Sequence, residues 1–310
     1  MAQELVSIVI VTRNRKEVTS ECLKSVLAMN YPHFEVILVD NGSTDGTAEE
    51  IKKRFSKVLV VAAKENLGLN GGKNLGQKEA KGNFVLFLDS DTVVDKYFLS
   101  ELVSLAKSDP KIGVVCPKMY YFDQKDIIWY AGVKLNLFTS RTDNIGHDEK
   151  DKGQYDCVSE TLFAPTAYLA TREVVNKLKG HEEMFFMTYG DTDYGFRAIE
   201  AGYKVMFCPE AKLWHRLGKD ENTKTIRGLG FNLPMRAYYF ARNRVIFMKR
   251  HAPKINFLVF LFFFFPLMTI YFSYKIIAFG GGWKFLYPHL SGSWDGLRFA
   301  FGGKVENSWK

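Results

Sequence analysis

Paired cysteines are missing from this chain. The four that occur, Cys22, Cys116, Cys157 and Cys208, stand far apart and form no C-x-x-C pair. A disulfide framework and a structural zinc site are thereby excluded, and a reducing compartment is the default. Proline is sparse at nine residues, and 25 glycines occur without any low-complexity run or internal repeat, which excludes collagen-like and linker proteins. No basic residue precedes the first apolar run, MAQELVSIVIV, which carries the acidic Glu4 and reads as a first strand rather than a signal peptide. Acidic residues are nearly absent from the last quarter. Residues 226–310 hold 12 Lys/Arg against 2 Asp/Glu, and 14 of the 26 Phe, whereas residues 1–225 hold 30 Lys/Arg against 32 Asp/Glu. The formal charge of +8 is therefore local. It lies beside a greasy segment and not along a soluble groove, so no nucleic-acid partner is expected, and an anionic membrane surface suits it better.

What is present is a folded chain. At 310 residues, 47% hydrophobic and 25% charged, it allows one large domain with a smaller appendage. Val6–Thr12, Phe34–Val39, Val58–Ala62, Phe84–Leu88 and Ile112–Cys116 are short apolar runs, nearly continuous as in strands covered on both faces. Asn14-Arg-Lys-Glu17 and Thr47-Ala-Glu-Glu50 between them have the form of helix N-caps with an acidic third residue. This alternation predicts a parallel sheet wound by right-handed crossovers. The rhythm lapses between Tyr120 and Tyr155, an excursion read as an insertion on the acceptor side. It resumes with a strand at Ala167–Ala170, helices from about Arg172 and Asp191, and a strand at Lys204–Cys208. Ile255–Phe279 then runs 25 residues with one charge, Lys275, long enough to span a bilayer, which is the first expectation; Pro266 in its middle could instead kink it into a re-entrant or interfacial element. If it spans, the excess of Arg and Lys upstream keeps the N-terminal domain cytoplasmic.

Ligands of open parallel sheets bind beyond the carboxyl ends of the strands. Those ends carry Thr12, Arg13 and Asn14, then Asp40, then Asp89-Ser90-Asp91. Mg²⁺ or Mn²⁺ takes one or two protein carboxylates and completes its shell from phosphate oxygens, which suits Asp89-x-Asp91; the bland alternative is that Asp91 caps a helix beginning near Val94. The run Gly68-Leu-Asn-Gly71-Gly72-Lys73-Asn74-Leu-Gly76 matches neither the dinucleotide nor the Walker pattern. It offers close backbone approach to a ligand, or glycines that serve only helix–sheet packing. Asp191-Thr-Asp193 is a helix cap or, desolvated by its aromatic neighbours, a general base. His215 is structural or a ligand.

In order, VSIVIVTRNR, VDNGSTDGT, ENLGLNGGKNLG, FLDSDT, the segment Ala164–Arg172, FFMTYGDTDYGFRAIEAGYKV and LWHR resemble the inverting family 2 glycosyltransferases, over about two-thirds of the chain. Arg236-Ala-Tyr-Tyr-Phe-Ala-Arg242-Asn243-Arg244 with the apolar tail is similar to the rhamnosyltransferase-like subgroup. The resemblance implies an α/β GT-A fold, a mostly parallel Rossmann-like sheet flanked by helices, followed by a membrane-associated helical tail. It implies a catalytic domain over 1–225, a basic juxtamembrane region over 226–254, a spanning or inserted segment over 255–279 and an amphipathic tail over 280–310. It also implies roles. Thr12, Arg13, Asn14, Asp40, Gly71, Gly72, Asn74, Asp89 and Ser90 would bind a nucleotide-diphosphate sugar. Asp91 and His215 would hold Mg²⁺ or Mn²⁺, and Asp191 would be the base that deprotonates a hydroxyl of a glycan or lipid-linked acceptor. The family usually writes Glu-Asp-x-Asp where this chain has Gly190-Asp191-Thr192-Asp193, which leaves Asp193 open as a sharer of that role. The several spans and the Q/R-x-x-R-W motif of processive synthases are missing, favouring addition of a single sugar at the cytoplasmic face of the cell membrane. A sugar nucleotidyltransferase and a non-catalytic membrane-tethered scaffold are the competing readings.

Overall fold

The computed structural model describes residues 4–216 and 233–304. The boundary expected at residue 225 lies outside them. The chain divides into two compact units: Met1–Lys134, Asn144–Glu182 and Asp191–Gly218 form the first, and Leu135–Asp143, Glu183–Gly190 and Lys219–Lys310 the second.

The first unit opens with β1 (Val6–Thr12), α1 (Lys16–Leu27), β2 (Phe34–Asp40), α2 (Thr47–Arg54), β3 (Val58–Ala62), α3 (Gly68–Glu79) and β4 (Phe84–Asp89). β3, β2, β1 and β4 lie side by side in that order, all parallel. Their inner residues are buried because helices cover the sheet, which is why VSIVIVT and FVLFLD read as unbroken apolar runs. β5 (Thr92–Val94), α4 (Phe98–Ser108), β6 (Ile112–Tyr121) and β7 (Ile128–Tyr130) follow. The excursion contains a small two-stranded sheet of β8 (Val133–Asn136) and β9 (Arg141–Asn144), then β10 (Ser159–Glu160). β11 (Ala167–Thr171), α5 (Arg172–Leu178), α6 (Gly190–Glu200) and β12 (Lys204–His215) complete the body. The sheet is mostly parallel but not wholly so. β11, inserted between β4 and β6, is antiparallel to both, and β12 is parallel to β6.

Two local expectations differ from the structure. Asn14 does not cap α1. It takes a left-handed conformation (φ 53°), and its Oδ1 accepts the Thr44 N–H at 2.8 Å while its own N–H reaches Ser43 Oγ at 2.9 Å, stitching the turn after β1 to the turn after β2. Thr47 starts α2 rather than capping it; left-handed Gly46 stands at the cap, and Asp45 Oδ1 accepts the Thr47 N–H at 3.0 Å. β12 is also longer than the apolar pattern at Lys204–Cys208 indicates. A register irregularity between Cys208 and Lys212 lets it turn past Pro209 and continue to His215, which pairs with Thr92 of β5 and Tyr121 of β6.

In the second unit α7 (Pro234–His251) starts with proline at a position where its missing N–H leaves no hydrogen bond unmade. Its buried polar residues hold the segment Glu183–Gly190. Asn243 Nδ2 donates to Met187 O at 2.7 Å, Arg242 donates to Met184 O, and Phe186 stacks on Tyr239 at 5.2 Å. α8 (Lys254–Val259), a π turn at Phe260–Phe264 and α9 (Phe265–Ala278) form one continuous helix. The π turn precedes Pro266, whose missing N–H breaks the α-helical ladder there. This 25-residue helix, of mean hydropathy 2.2 over its most apolar 18 residues, is long and apolar enough to cross a membrane by length and composition. α10 (Gly282–Ala300) packs on α7, where Gly292 lets the Tyr238 carbonyl approach so closely that a Cβ would lie 2.2 Å from its oxygen.

Packing of α3 on the sheet depends on small residues. A Cβ on Gly76 would stand 2.4 Å from Val9 Cγ1 and 2.9 Å from Val39 Cγ2, both in the floor of the sheet. Gly76→Ala is expected to destabilise the protein by about 1–3 kcal/mol through overpacking. Urea unfolding would show this as a lowered midpoint at unchanged slope.

Candidate active site

Parallel β1, β2 and β4 end at one edge of the sheet, and the register places Thr12 beside Asp40 and Val11 beside Asp89. Thr12 is buried and shares a 2.7 Å hydroxyl contact with Thr19. Asp40 Oδ1 accepts the Ser43 N–H at 2.9 Å; Oδ2 carries no hydrogen bond among the described residues. Arg13 and Asn14 are exposed at the same edge, and Ser90 is buried.

Asp91 does not cap a helix, because Thr92–Val94 continue as β5 and α4 starts only at Phe98. Its carboxylate sits instead between His215 Nε2, at 3.2 Å from Oδ1, and Arg15, at 2.6 Å from Oδ2. Burial alone raises an acid, but the hydrogen bond and charge of His215 and Arg15 outweigh it and hold Asp91 at about 2. Asp89 behaves oppositely. Burial, opposed by the Lys73 charge and reinforced by the neighbouring Asp91 and Asp191 carboxylates, pushes it up to about 6. One ligand atom each from Asp89, Asp91 and His215 lies within 4.8 Å of the others. Asp89 Oδ1 and His215 Nδ1 are buried without a hydrogen-bond partner among the described residues. Two carboxylates and an imidazole with unused buried lone pairs fit a divalent cation that completes its shell from phosphate oxygens.

Asp191 stands in the first turn of α6. Lys73, 1% exposed, donates to Asp191 Oδ1 at 2.5 Å and lies 5.1 Å over the Tyr168 ring. Tyr168 OH is 3.3 Å from the same oxygen and 2.5 Å from His181 Nε2. Burial, with the Lys73 and Arg197 charges, drives His181 well below its usual range, so it is a neutral imidazole; its ring stacks on Tyr194 at 4.5 Å. Asp191 Oδ2 carries no hydrogen bond among the described residues. Asp193 differs. It is fully buried, and Arg197 Nε donates to its Oδ2 at 2.7 Å while the same guanidinium reaches the Leu178 and Gly180 carbonyls. That geometry ties α6 to the end of α5.

α3 supplies one face, Asn70, Lys73 and Asn74, at the i, i+3, i+4 spacing that aligns side chains. Asn70 donates to Glu182 O at 2.8 Å. Both ends of the Asn74 amide are engaged by the His181 backbone, at 2.7 and 2.9 Å, so Asn74 braces this loop. Gly71 and Gly72 are buried, and a Cβ on Gly72 would meet Val11 Cγ1 at 2.6 Å, a packing role. Sequence reasoning did not single out Lys73, Asn41, Arg15, Tyr168 or His181. Asn41 joins the turns after β2 and β3, donating to Gly68 O at 2.9 Å and accepting from Leu67 N at 2.9 Å. The polar face Asn70-Lys73-Asn74 within a glycine-rich helix was the available signal for Lys73.

The sequence profile described as Glycosyl transferase family 2 matches residues 7–163. The chain belongs to that family. It is 34% identical over 205 residues to poly-beta-1,6-N-acetyl-D-glucosamine synthase of Staphylococcus aureus, covering 65% of this chain and 47% of that one. The chain spans between about a fifth and three-fifths of the length of such curated relatives. Its fold is similar to that of the mannosyltransferase PcManGT from Pyrobaculum calidifontis, in complex with GDP-Man and Mn²⁺, at TM-score 0.58 and 16% identity over 99% of this chain and 78% of that one. It is likewise similar to Staphylococcus aureus TarS in complex with UDP-GlcNAc, at TM-score 0.59 and 18% identity, covering 94% and 80%. The fold is GT-A.

Breaking the Asp193–Arg197 pair leaves a partly buried guanidinium without its counter-charge. Asp193→Asn is expected to lower unfolding stability by about 3–5 kcal/mol, read as a lowered midpoint in chemical denaturation. Loss of turnover with stability retained would instead place Asp193 in the chemistry.

Proposed function

We propose that this protein is a metal-dependent, inverting glycosyltransferase that moves a single sugar from a nucleotide-diphosphate donor to a hydroxyl of a glycan, lipid-linked in the membrane. The observation that carries this reading is the pairing, within one unit, of the Asp89–Asp91–His215 cluster with Asp191, whose Oδ2 is unengaged while Lys73 holds Oδ1. Relatives of the fold bind GDP-Man with Mn²⁺ and UDP-GlcNAc, which supports a nucleotide-sugar donor here.

Thr12, Asp40 and the turns after β1 and β2 line the nucleotide end. Asp40 Oδ2 would accept from base or ribose, and Asp89 from ribose or sugar. Mg²⁺ or Mn²⁺ held by Asp91 and His215 would offset charge on the departing diphosphate. Asp191 Oδ2 takes the proton of the acceptor hydroxyl. The acceptor oxygen forms its bond to the anomeric carbon as the bond from that carbon to the diphosphate oxygen breaks, and the nucleoside diphosphate leaves with the electron pair. One displacement inverts the anomeric configuration, and no carboxylate nucleophile is needed. Lys73 orients the base through Oδ1. The apolar helix and basic tail support work on a lipid-borne acceptor at the cytoplasmic face of the cell membrane.

A hydrolysis and transfer screen over uridine, thymidine and guanosine diphosphate sugars with Mg²⁺ and Mn²⁺ tests the reading. With the active donor, Asp191→Asn should lower turnover about 100- to 10,000-fold, the span of general-base catalysis, with donor affinity nearly retained. Asp91→Ala should abolish turnover and the metal-dependent part of donor binding, measured by calorimetry. Near-normal turnover in Asp191→Asn would refute the assignment of the base.

A further inference from the structure

The apolar helix Lys254–Ala278 is flanked on both sides by helices that return to pack against it and each other. Contacts fix their directions. Going down α7, Tyr238 meets Gly292 and Asp295, Val245 meets Gly296, and Lys249 Nζ donates to Phe299 O at 2.8 Å, so α10 runs alongside α7 in the same sense. α9 runs the opposite way: Ala237 packs with Ile276, Phe240 with Phe272 at 5.7 Å, and Arg244 with Met268 at 3.6 Å. The three helices form an up-and-down layer within the second unit. A spanning α8–α9 would therefore carry α7 and α10 through the bilayer with it.

α7 is unfit for that place. It bears Arg236, Arg242, Arg244, Lys249 and Arg250, and Arg244 touches the middle of the apolar helix, its guanidinium 4.4 Å from the Phe240 ring centroid and 5.2 Å from that of Phe272. Cations at bilayer depth are expensive. The apolar helix is also two-faced. Phe260, Leu261, Phe265 and Ile276 are buried, while Phe262, Phe263, Leu267, Ile270 and Ile277 are at least 60% exposed in a row. α10 repeats the arrangement. Gly292 and Gly296 face α7 and His289 lies against Phe272 of α9, whereas Trp283, Tyr287, Leu290 and Trp294 are exposed at spacings of four, three and four residues. Trp and Tyr on an exposed row suit the headgroup level, and the basic residues at the helix ends match anionic lipid.

We propose that the second unit is an in-plane, monotopic membrane layer, sunk into one leaflet of an anionic bilayer by the exposed rows of α8–α9 and α10, and that residues 254–278 do not span. This deepens the membrane reading above and rests on it. The test uses the full chain with Cys157→Ser, which removes the exposed native thiol, and adds Lys254→Cys or Lys284→Cys, exposed positions at opposite ends of the apolar helix. Membrane vesicles from expressing cells, inside-out and right-side-out, are treated with an impermeant maleimide. Both cysteines should react in the same vesicle orientation. Reaction in opposite orientations overturns the in-plane layer but leaves the membrane reading intact. Failure of the purified chain to sediment with phosphatidylglycerol vesicles overturns the membrane reading itself. Trp283→Glu with Trp294→Glu should weaken vesicle partitioning at least tenfold; unchanged partitioning overturns the role of the α10 row.

Discussion

The ammonium of Lys73 is buried almost completely, and a charge in that position must be matched where it stands. Asp191 matches it from α6, and the Tyr168 ring from β11 lies under it. Burial of the lysine in turn requires α3 to lie close on the sheet, which Gly72 and Gly76 permit by leaving room for Val11 and Val9. The same helix face holds the loop at His181 and Glu182 through Asn74 and Asn70. One ion pair thus links the glycine-rich helix, an antiparallel strand and the carboxylate assigned the chemistry.

Around that pair the site sets three carboxylates against two cations. Asp89, Asp91 and Asp191 repel one another at close quarters, Lys73 and Arg15 offset them, and His215 adds a hydrogen-bonding contact to Asp91. The balance is uneven by design of position: Asp91, gripped by His215 and Arg15, stays ionised through the physiological range, while Asp89 is the group whose charge the site strains to keep. A divalent cation adds charge of the sign the cluster lacks. Arg15 is half-exposed, so its contact with Asp91 is worth little and yields easily to a stronger partner.

The second unit obeys a different constraint. Its apolar helix exposes one row of Phe, Leu and Ile, and its buried Arg242 and Arg244 lie against aromatic faces. In-plane insertion satisfies both demands, since the rows of Phe, Leu and Ile reach hydrocarbon while α7 remains above them.

Much of the first unit was legible from residue order. Unbroken apolar runs marked β1 to β4 almost to the residue, because strands covered on both faces leave no polar alternation, and acidic residues at their ends marked the edge where ligands bind. The resemblance then assigned roles to the carboxylates and His215, and the family profile over residues 7–163 bears out the family. Less was legible where a residue's environment comes from distant chain. Asn14 has the form of a cap, yet Thr44, thirty residues on, decides its bonding. Nothing local in Lys204–Cys208 announces that β12 resumes after an irregularity and carries His215 to Asp91, 124 residues away. In Gly190-Asp191-Thr192-Asp193 the resemblance favoured Asp191 and left Asp193 open as a sharer; packing sets their surroundings apart, sealing Asp193 against Arg197 and leaving one oxygen of Asp191 unengaged. Likewise the 25 apolar residues of the tail determined a strong affinity for an apolar medium, since composition alone sets transfer free energy. Whether that helix crosses or lies flat turns on its neighbours, because charge on α7 becomes a cost at depth only once the chain folds back and places it there.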